Sequence, residues 1–350
     1  MSQPQIALDR PSIRQVAQEA GVSVATVSRV LNAKGPIRDE TRRRVLATVE
    51  RLGYVPHSAA RSLSTRRSMS IGVLLPDLHG EFFSELIRGI DLAARRAGYH
   101  VLVSGSHSDP SEIQAVLQAL HGRVDGMIVM TPATALAAAA TRLPRGVPVV
   151  LLNSPGLPAE HDSIRVDHRG GARSVTEHLL DLGHRRIAMI CGPAENADAA
   201  DRLRGFLEAH AARGLEPVAD LLVAGDFRED SGYRAGAILA GVAPRPTAIF
   251  AANDAMAIGC LAALRDRGLA VPADIALAGF DDIPIARYLT PALTSVRVAI
   301  AELGARAVDR LLGSIAAEPG RSRHHEVVAA TLVVRASTTA PPTRSEAHQP

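Results

Sequence analysis

Apolar positions change their period partway along the chain. From Ser12 the first spacing is helical: Ile13, Val16, Ala17 and Ala20 share one face. Ser12 with Gln15 three residues on makes a capping-box pattern, and Gly21 supplies the backbone freedom that ends the turn. Ser23 can cap a second helix whose inward face is Val27, Val30 and Leu31. Its outward positions are then Val24, Ala25, Thr26, Ser28 and Arg29. A third, basic helical stretch, DETRRRVLATVERLGYVP, covers 39–56. From Ser70 short apolar runs alternate with helical stretches. Strands are expected at 71–75, 99–103, 126–130 and 147–152, and helices at 82–98, 111–120 and 133–142. Leu86, Ile90, Leu92 and Ala93 should face inward from 82–98. A second series follows, with helices at 170–182, 201–213, 231–240 and 255–267. Its strands fall at 187–191, 221–224, 248–251 and 275–280. Strands alternating with helices predict parallel sheets covered on both faces. Two series predict two lobes, with the cleft between their strand ends as the small-molecule site.

Charge sharpens this division. The net charge of the 350 residues is +3, but residues 1–70 hold 12 Lys and Arg against 5 Asp and Glu, a net of +7. The remainder holds 27 against 31, a net of −4. A basic head on an acidic body is the distribution of a nucleic-acid-reading module joined to a body that does not bind DNA. Cys191 and Cys260 lie in apolar contexts without metal-ligand or disulfide spacing, as expected of buried thiols in a reducing compartment. No signal-peptide pattern opens the chain, and no apolar run approaches the ~18 residues of a membrane span. A cytoplasmic protein without membrane association is expected. No phosphate-binding Gly-x-x-x-x-Gly-Lys, no Gly-x-Ser-x-Gly and no His-Glu-x-x-His occurs, and His324-His325 reads as an exposed turn rather than a ligand pair. No metal, cofactor or catalytic residue is expected. Three function classes stay open: a ligand-responsive DNA-binding repressor, a pure small-molecule binding protein, and an α/β enzyme. The basic head disfavours the second, and the missing catalytic spacing disfavours the third.

Two helices joined by a tight glycine turn, the second carrying small, hydroxyl and guanidinium side chains, suit entry into a DNA major groove. The string Val-Ala-x-x-Ala-Gly-Val-Ser-x-x-Thr-Val-Ser-Arg-Val-Leu-Asn, from Val16 to Asn32, resembles the N-terminal signature of the lactose/galactose repressor (LacI/GalR) family. The third helix ending Leu52-Gly53-Tyr54-x-Pro56 resembles it too. The DNA-contacting residues expected are Ser12, Ser23, Val24, Ala25, Thr26, Ser28, Arg29, Asn32, Tyr54, Ala60 and Leu63. Ala60-Arg61-Ser62-Leu63 resembles the family's hinge helix. By that resemblance it folds only on DNA, pairs with its dimer mate and wedges Leu63 into a minor-groove step. The chain departs from the family with His57, where asparagine is usual, and with Ser64 after the wedge.

The body resembles the type I periplasmic binding-protein fold through Arg335, with Leu-Val-Val-Arg-Ala-Ser at 332–337 matching the final strand. The organisation implied is an all-α helix-turn-helix head at 12–56, a hinge and linker at 57–69, and a two-lobed α/β effector-binding and dimerisation domain at 70–337. Interlobe crossings are expected near Val166, Ser295 and His324. Lobe one would hold about 70–166 and 296–323, and lobe two about 167–295 and 324–337. The ends, 1–11 and 338–350, are expected to be flexible. The resemblance implies effector contacts from Asp77, Phe82 and Phe83 after the first strand, from Arg202 as a guanidinium clasp, and from Phe227 as a stacking aromatic. Asn253 and Asp281, just past their strands, offer polar groups to hydroxyls. Asp254 is also placed to cap the helix after it, and Asp282 to face solvent. In the family's purine-repressor branch an arginine and a threonine bind ligand where Asn196 and Asp198 stand here, which favours a sugar-like effector over a purine. The partners implied are a palindromic double-stranded operator, a small-molecule effector and a second copy of the chain. No heptads follow Ser337, so a dimer without a coiled-coil tetramer is expected.

Overall fold

The computed structural model describes residues 11–31, 35–54, 67–107, 109–131, 146–154, 161–318 and 321–341, and the chain divides into two compact units at Met69/Ser70. Asn32, Ala60, Leu63, the helix expected at 133–142 and residues 1–10 and 342–350 lie outside the described residues.

The head consists of α1 (Ile13–Glu19), α2 (Val24–Leu31) and α3 (Asp39–Leu52). Ser12 caps α1 through a complete capping box: its hydroxyl accepts from the Gln15 amide, and its own amide donates to the Gln15 side chain at 2.7 Å. Asp39 and Glu40 open α3 and Arg51 closes it, each sign of charge at the helix end that favours it. Gly53 takes the left-handed conformation (φ 61°) that turns the chain so that Tyr54 folds back. Val16, Ala17, Ala20, Val27, Val30, Val45 and Tyr54 form the core.

The body is two six-stranded sheets built on one plan. Lobe one contains β1 (Ser70–Leu75), α4 (Glu81–Arg96), β2 (His100–Gly105), α5 (Pro110–Leu120), β3 (Gly126–Met130), β4 (Val149–Leu152) and β5 (Asp162–Val166). Lobe two continues with α6 (His168–Asp181), β6 (Ile187–Cys191), α7 (Ala197–Ala211), β7 (Leu222–Ala224), α8 (Glu229–Gly241), β8 (Ala248–Ala251), α9 (Asp254–Arg265), β9 (Ala276–Asp281) and β10 (Thr294–Arg297). The chain returns to lobe one for α10 (Ile300–Ala316) and β11 (His325–Val328), then crosses back for β12 (Thr331–Val333). The strand orders are β11-β5-β4-β3-β1-β2 and β12-β10-β9-β8-β6-β7, parallel throughout except for β12. Central strands such as β1, β3, β4, β8 and β9 are buried nearly end to end, as sheets covered on both faces require.

Several expectations are corrected. The second crossing, expected near Ser295, follows the end of β10, at Val298 and Ala299. The third lies between β11 and β12, so His325 pairs in lobe one beside β5 instead of forming a turn, and its ring meets Ser163 Oγ at 2.9 Å. β5, β10, α10 and β11 stand where the sequence pattern predicts no element. β5 and β11 alternate buried or half-buried with more exposed positions, which breaks the continuous apolar run that marks the central strands. The last strand ends at Val333 rather than Ser337. Leu92 is about half exposed, on the outer side of α4. The start of the C-terminal tail is tied down: Thr338 Oγ1 meets His178 Nε2 at 3.0 Å, and His184 Nε2 donates to the Thr339 carbonyl at 2.7 Å.

Candidate functional site

The head's outward surface follows from how α2 is anchored. The Ser23 hydroxyl accepts from the Thr26 amide at 3.1 Å and lies 2.9 Å from the Thr26 hydroxyl, which starts the helix and turns Val27 and Val30 inward. Val24, Ala25 and Arg29 are exposed, and Thr26 and Ser28 are half-buried beside them. Two members of the expected DNA-contacting set are occupied otherwise. Tyr54 is 7% exposed, its ring drawn into the head core by apolar burial. Ser12 uses its hydroxyl in the capping box.

In the body, a cleft of about 430 Å³ opens between the lobes, lined by residues from both. The described loops that line it leave the carboxyl ends of strands in both sheets. Lobe two supplies its floor. Asn196 caps α7 by accepting from the Ala199 amide at 3.0 Å, starting that helix four residues before the expected Asp201 and bringing Arg202 onto its buried face. Arg202 is 5% exposed. Its Nε donates to His168 Nδ1 at 3.3 Å, one terminal nitrogen donates to the Ala252 carbonyl, and the other lies 3.2 Å from Asp281 Oδ1. The guanidinium stands 4.0 Å over the Phe280 ring and 5.5 Å from that of Phe227. Because His168 Nδ1 accepts, the imidazole carries its proton on Nε2, which faces Asp198 at 3.3 Å. Burial lowers the His168 pKa, so the ring is held neutral.

Burial pushes the Asp281 carboxyl up to about 6, although Arg202 beside it favours the charged form. Asp254 is also fully enclosed. Burial first, and then the charge of Asp281, raise it well above the ordinary carboxylate range. Its role is corrected: Asn253, not Asp254, caps α9 by accepting from the Met256 amide at 3.0 Å. Asp254 receives the Ser295 hydroxyl at 2.6 Å and the Ile283 amide at 2.9 Å, which ties the β9 loop to the sheet. Asp282 does not face solvent either; it is buried between Arg297 at 2.7 Å and Arg335 at 2.5 Å. Asn253 reaches the cleft with both ends of its amide engaged, since its nitrogen donates to the Phe227 carbonyl at 2.9 Å. Phe227 is held at φ 69° over Gly192, where a Cβ would come within 2.4 Å of its ring.

Lobe one supplies the cover. Phe82 and Phe83 pack edge to face, ring centroids 5.3 Å apart, at the start of α4. Burial works against ionised Asp77, but the amides of His79 and Leu78 and the Arg228 guanidinium hold its carboxyl below the usual range. The Asp77–Arg228 pair, at 3.0 Å, joins the lobes. So does the Ile285 amide, which donates to Glu81 at 3.3 Å. The structure thus brings Asp77, Phe82, Phe83, Asn196, Asp198, Arg202, Phe227, Asn253 and Asp281 to one cleft. Sequence reading missed His168 as the link between Asp198 and Arg202. It also missed Glu81, Glu195, Asp226, Arg228 and Glu229 on the walls. Position just past a strand end could have flagged Asp226 and Arg228. Among the described residues no group of His, Cys, Asp and Glu could hold a metal ion, and no helix is long and apolar enough to cross a membrane.

Residues 12–57 match the model of bacterial regulatory proteins of the lacI family, and residues 176–338 match the periplasmic binding protein-like domain. The catabolite control protein A of Priestia megaterium is 37% identical over 304 residues, covering 86% of this chain and 91% of its own. A lac repressor dimer bound to operator and the anti-inducer ONPF superposes with a TM-score of 0.85 at 30% identity, over 95% of this chain and all of that one. The transcriptional regulator CelR in complex with cellobiose gives a TM-score of 0.71 at 31% identity, over 94% of this chain and all of that one.

Proposed function

Because the chain belongs to the lacI family of bacterial regulatory proteins, we propose that it is a cytoplasmic transcriptional repressor that binds a palindromic operator as a homodimer and answers to a small metabolite. The observation that carries this reading is the exposed ridge of Val24, Ala25 and Arg29 on a helix whose other side is buried, on a chain that also encloses an interlobe cleft. Val24 and Ala25 suit thymine methyls, and Arg29 suits the paired acceptors of guanine. Ser23, Thr26 and Ser28 flank them as phosphate partners, and Ser12 and Asn32 complete the proposed DNA contacts. Ala60 and Leu63 belong to a hinge segment that would order on the operator and bend it.

The effector is sugar-like, in keeping with the disaccharide held by the CelR relative and with the hydroxyl-binding groups of this cleft. Floor and cover belong to different lobes, so a ligand touching both changes the angle between them. Only a ligand with different affinity for the two arrangements moves the equilibrium, and DNA affinity moves with it. The test is selection of duplexes from a random pool by the full-length protein, with and without pooled cell metabolites. Enrichment of a palindrome, altered by metabolites, is expected. No enriched sequence in either arm overturns the repressor reading.

A further inference from the structure

Resting on that reading of the cleft, the charge balance of its walls narrows the effector class. Among the described residues, seven carboxylates line the cleft against two guanidiniums. Both guanidiniums are already paired: Arg202 with Asp281, and Arg228 with Asp77 across the lobes. His107, the imidazole on the lobe-one side that follows β2, meets Glu112 at 2.8 Å. Once these pairs are set aside, no further guanidinium among the described lining residues is left for Glu81, Glu195, Asp198, Asp226 and Glu229. Asp226 accepts from the Arg228 amide at 2.9 Å, and Arg234, outside the lining, lies 3.7 Å from it.

A bound anion would therefore meet like charge on the lobe-two wall. To find a cation it would have to break an existing pair. Taking Arg202 would strand Asp281, 4% exposed, as an uncompensated buried carboxylate. Taking Arg228 would undo a tie between the lobes. Carboxylates, by contrast, are strong acceptors for hydroxyl donors. Aromatic rings stand on both sides, Phe82 and Phe83 from lobe one and Phe227 from lobe two, and they can cover the C–H faces of a ring.

We propose that the effector is an uncharged saccharide, and that Glu195, Asp226 and Glu229 exclude phosphorylated and carboxylated sugars by like-charge repulsion. Discrimination here is negative: the walls bind hydroxyls, and their excess negative charge rejects anions.

The test is titration calorimetry of the full-length protein against matched pairs: glucose, galactose, ribose and cellobiose beside the 6-phosphates of glucose and galactose, ribose 5-phosphate and galacturonate. At least one neutral sugar should bind about tenfold or more tightly than its anionic partner, and the gap should narrow as added salt screens the walls. A Glu195→Gln/Glu229→Gln variant that melts like the parent should lose most of that gap by gaining affinity for the anion. Preference for any phosphate or uronate, binding of none of the neutral sugars, or a gap unchanged in the variant overturns the assignment. Operator selection by ligand-free protein separates the two readings: a recovered palindrome beside failed calorimetry sinks the effector class alone, and loss of both sinks the repressor.

Discussion

The two lobes repeat one strand order, β2 answering β7, β1 answering β6 and so on outward, yet they furnish the cleft in different ways. Lobe two contributes groups that hold one another: Arg202 and Asp281 have side chains 6% exposed, and His168 links Arg202 to Asp198. Lobe one contributes groups that face outward and are paired across the gap, as Asp77, 31% exposed, is with Arg228 of lobe two, 63% exposed. A buried pair is expensive to break because each partner left alone is a charge without solvent. An exposed pair is screened and contributes little. The same fold thus makes a fixed floor on one side and a releasable cover on the other.

This contrast can be broken in four ways. The largest effect is expected from Arg202→Met, which strands Asp281 and should cost about 3–5 kcal/mol in urea unfolding of the body. Adding Asp281→Asn should restore part of that loss, and a cost below about 1 kcal/mol would deny the floor its rigidity. Next come the close helix approaches that the lobes share. A Cβ at Gly89 in α4 would sit 2.0 Å from the Ala301 carbonyl, and one at Gly259 in α9 would sit 1.9 Å from that of Glu229. Gly89→Ala and Gly259→Ala should each cost about 1–3 kcal/mol by overpacking, and tolerance in one lobe alone would end the equivalence of their scaffolds.

Third is the pH response of Asp254. Its folded carboxyl is raised, so the stability it contributes is fully present below the ordinary carboxylate pKa and is lost as pH rises through the raised value. Relative to the parent, Asp254→Asn should therefore be more favourable at pH 7.5 than at pH 4.5, by about 1 kcal/mol or more. A difference independent of pH would show that Asp254 titrates normally. The smallest stability change, below about 1 kcal/mol, is expected for Asp77→Asn. That variant should still raise the fraction of open lobes, read as a larger radius of gyration by small-angle scattering, and an unchanged radius would remove Asp77 from the closure.

Legibility in the sequence tracked how local each cause is. The capping box at Ser12 and Gln15 and the inward faces of α1 and α2 follow from spacing alone. The burial of the Tyr54 ring was not legible, because an aromatic after a helix-ending glycine serves a surface or a core equally well until the other helices are in place. Asp254 misled for a similar reason. It stands where a cap is common, but its neighbour Asn253 takes the cap, and the chain from β10 brings Ser295 to it. Asp282 looked solvent-facing because its partners, Arg297 and Arg335, lie 15 and 53 residues away.

By itself the sequence determined the periodicities, and with them the three-helix head, most strands and helices of both lobes, and the basic head on an acidic body. These depend on contacts within a turn or along one strand, which short windows of residues encode. The tertiary structure alone decided the crossing points at Val298 and between β11 and β12, the neutral His168 between Asp198 and Arg202, and the pairing that leaves the cleft walls acidic. Each of these depends on desolvation and charge between residues far apart in the chain, and those forces act only once the sheets bring their loops together.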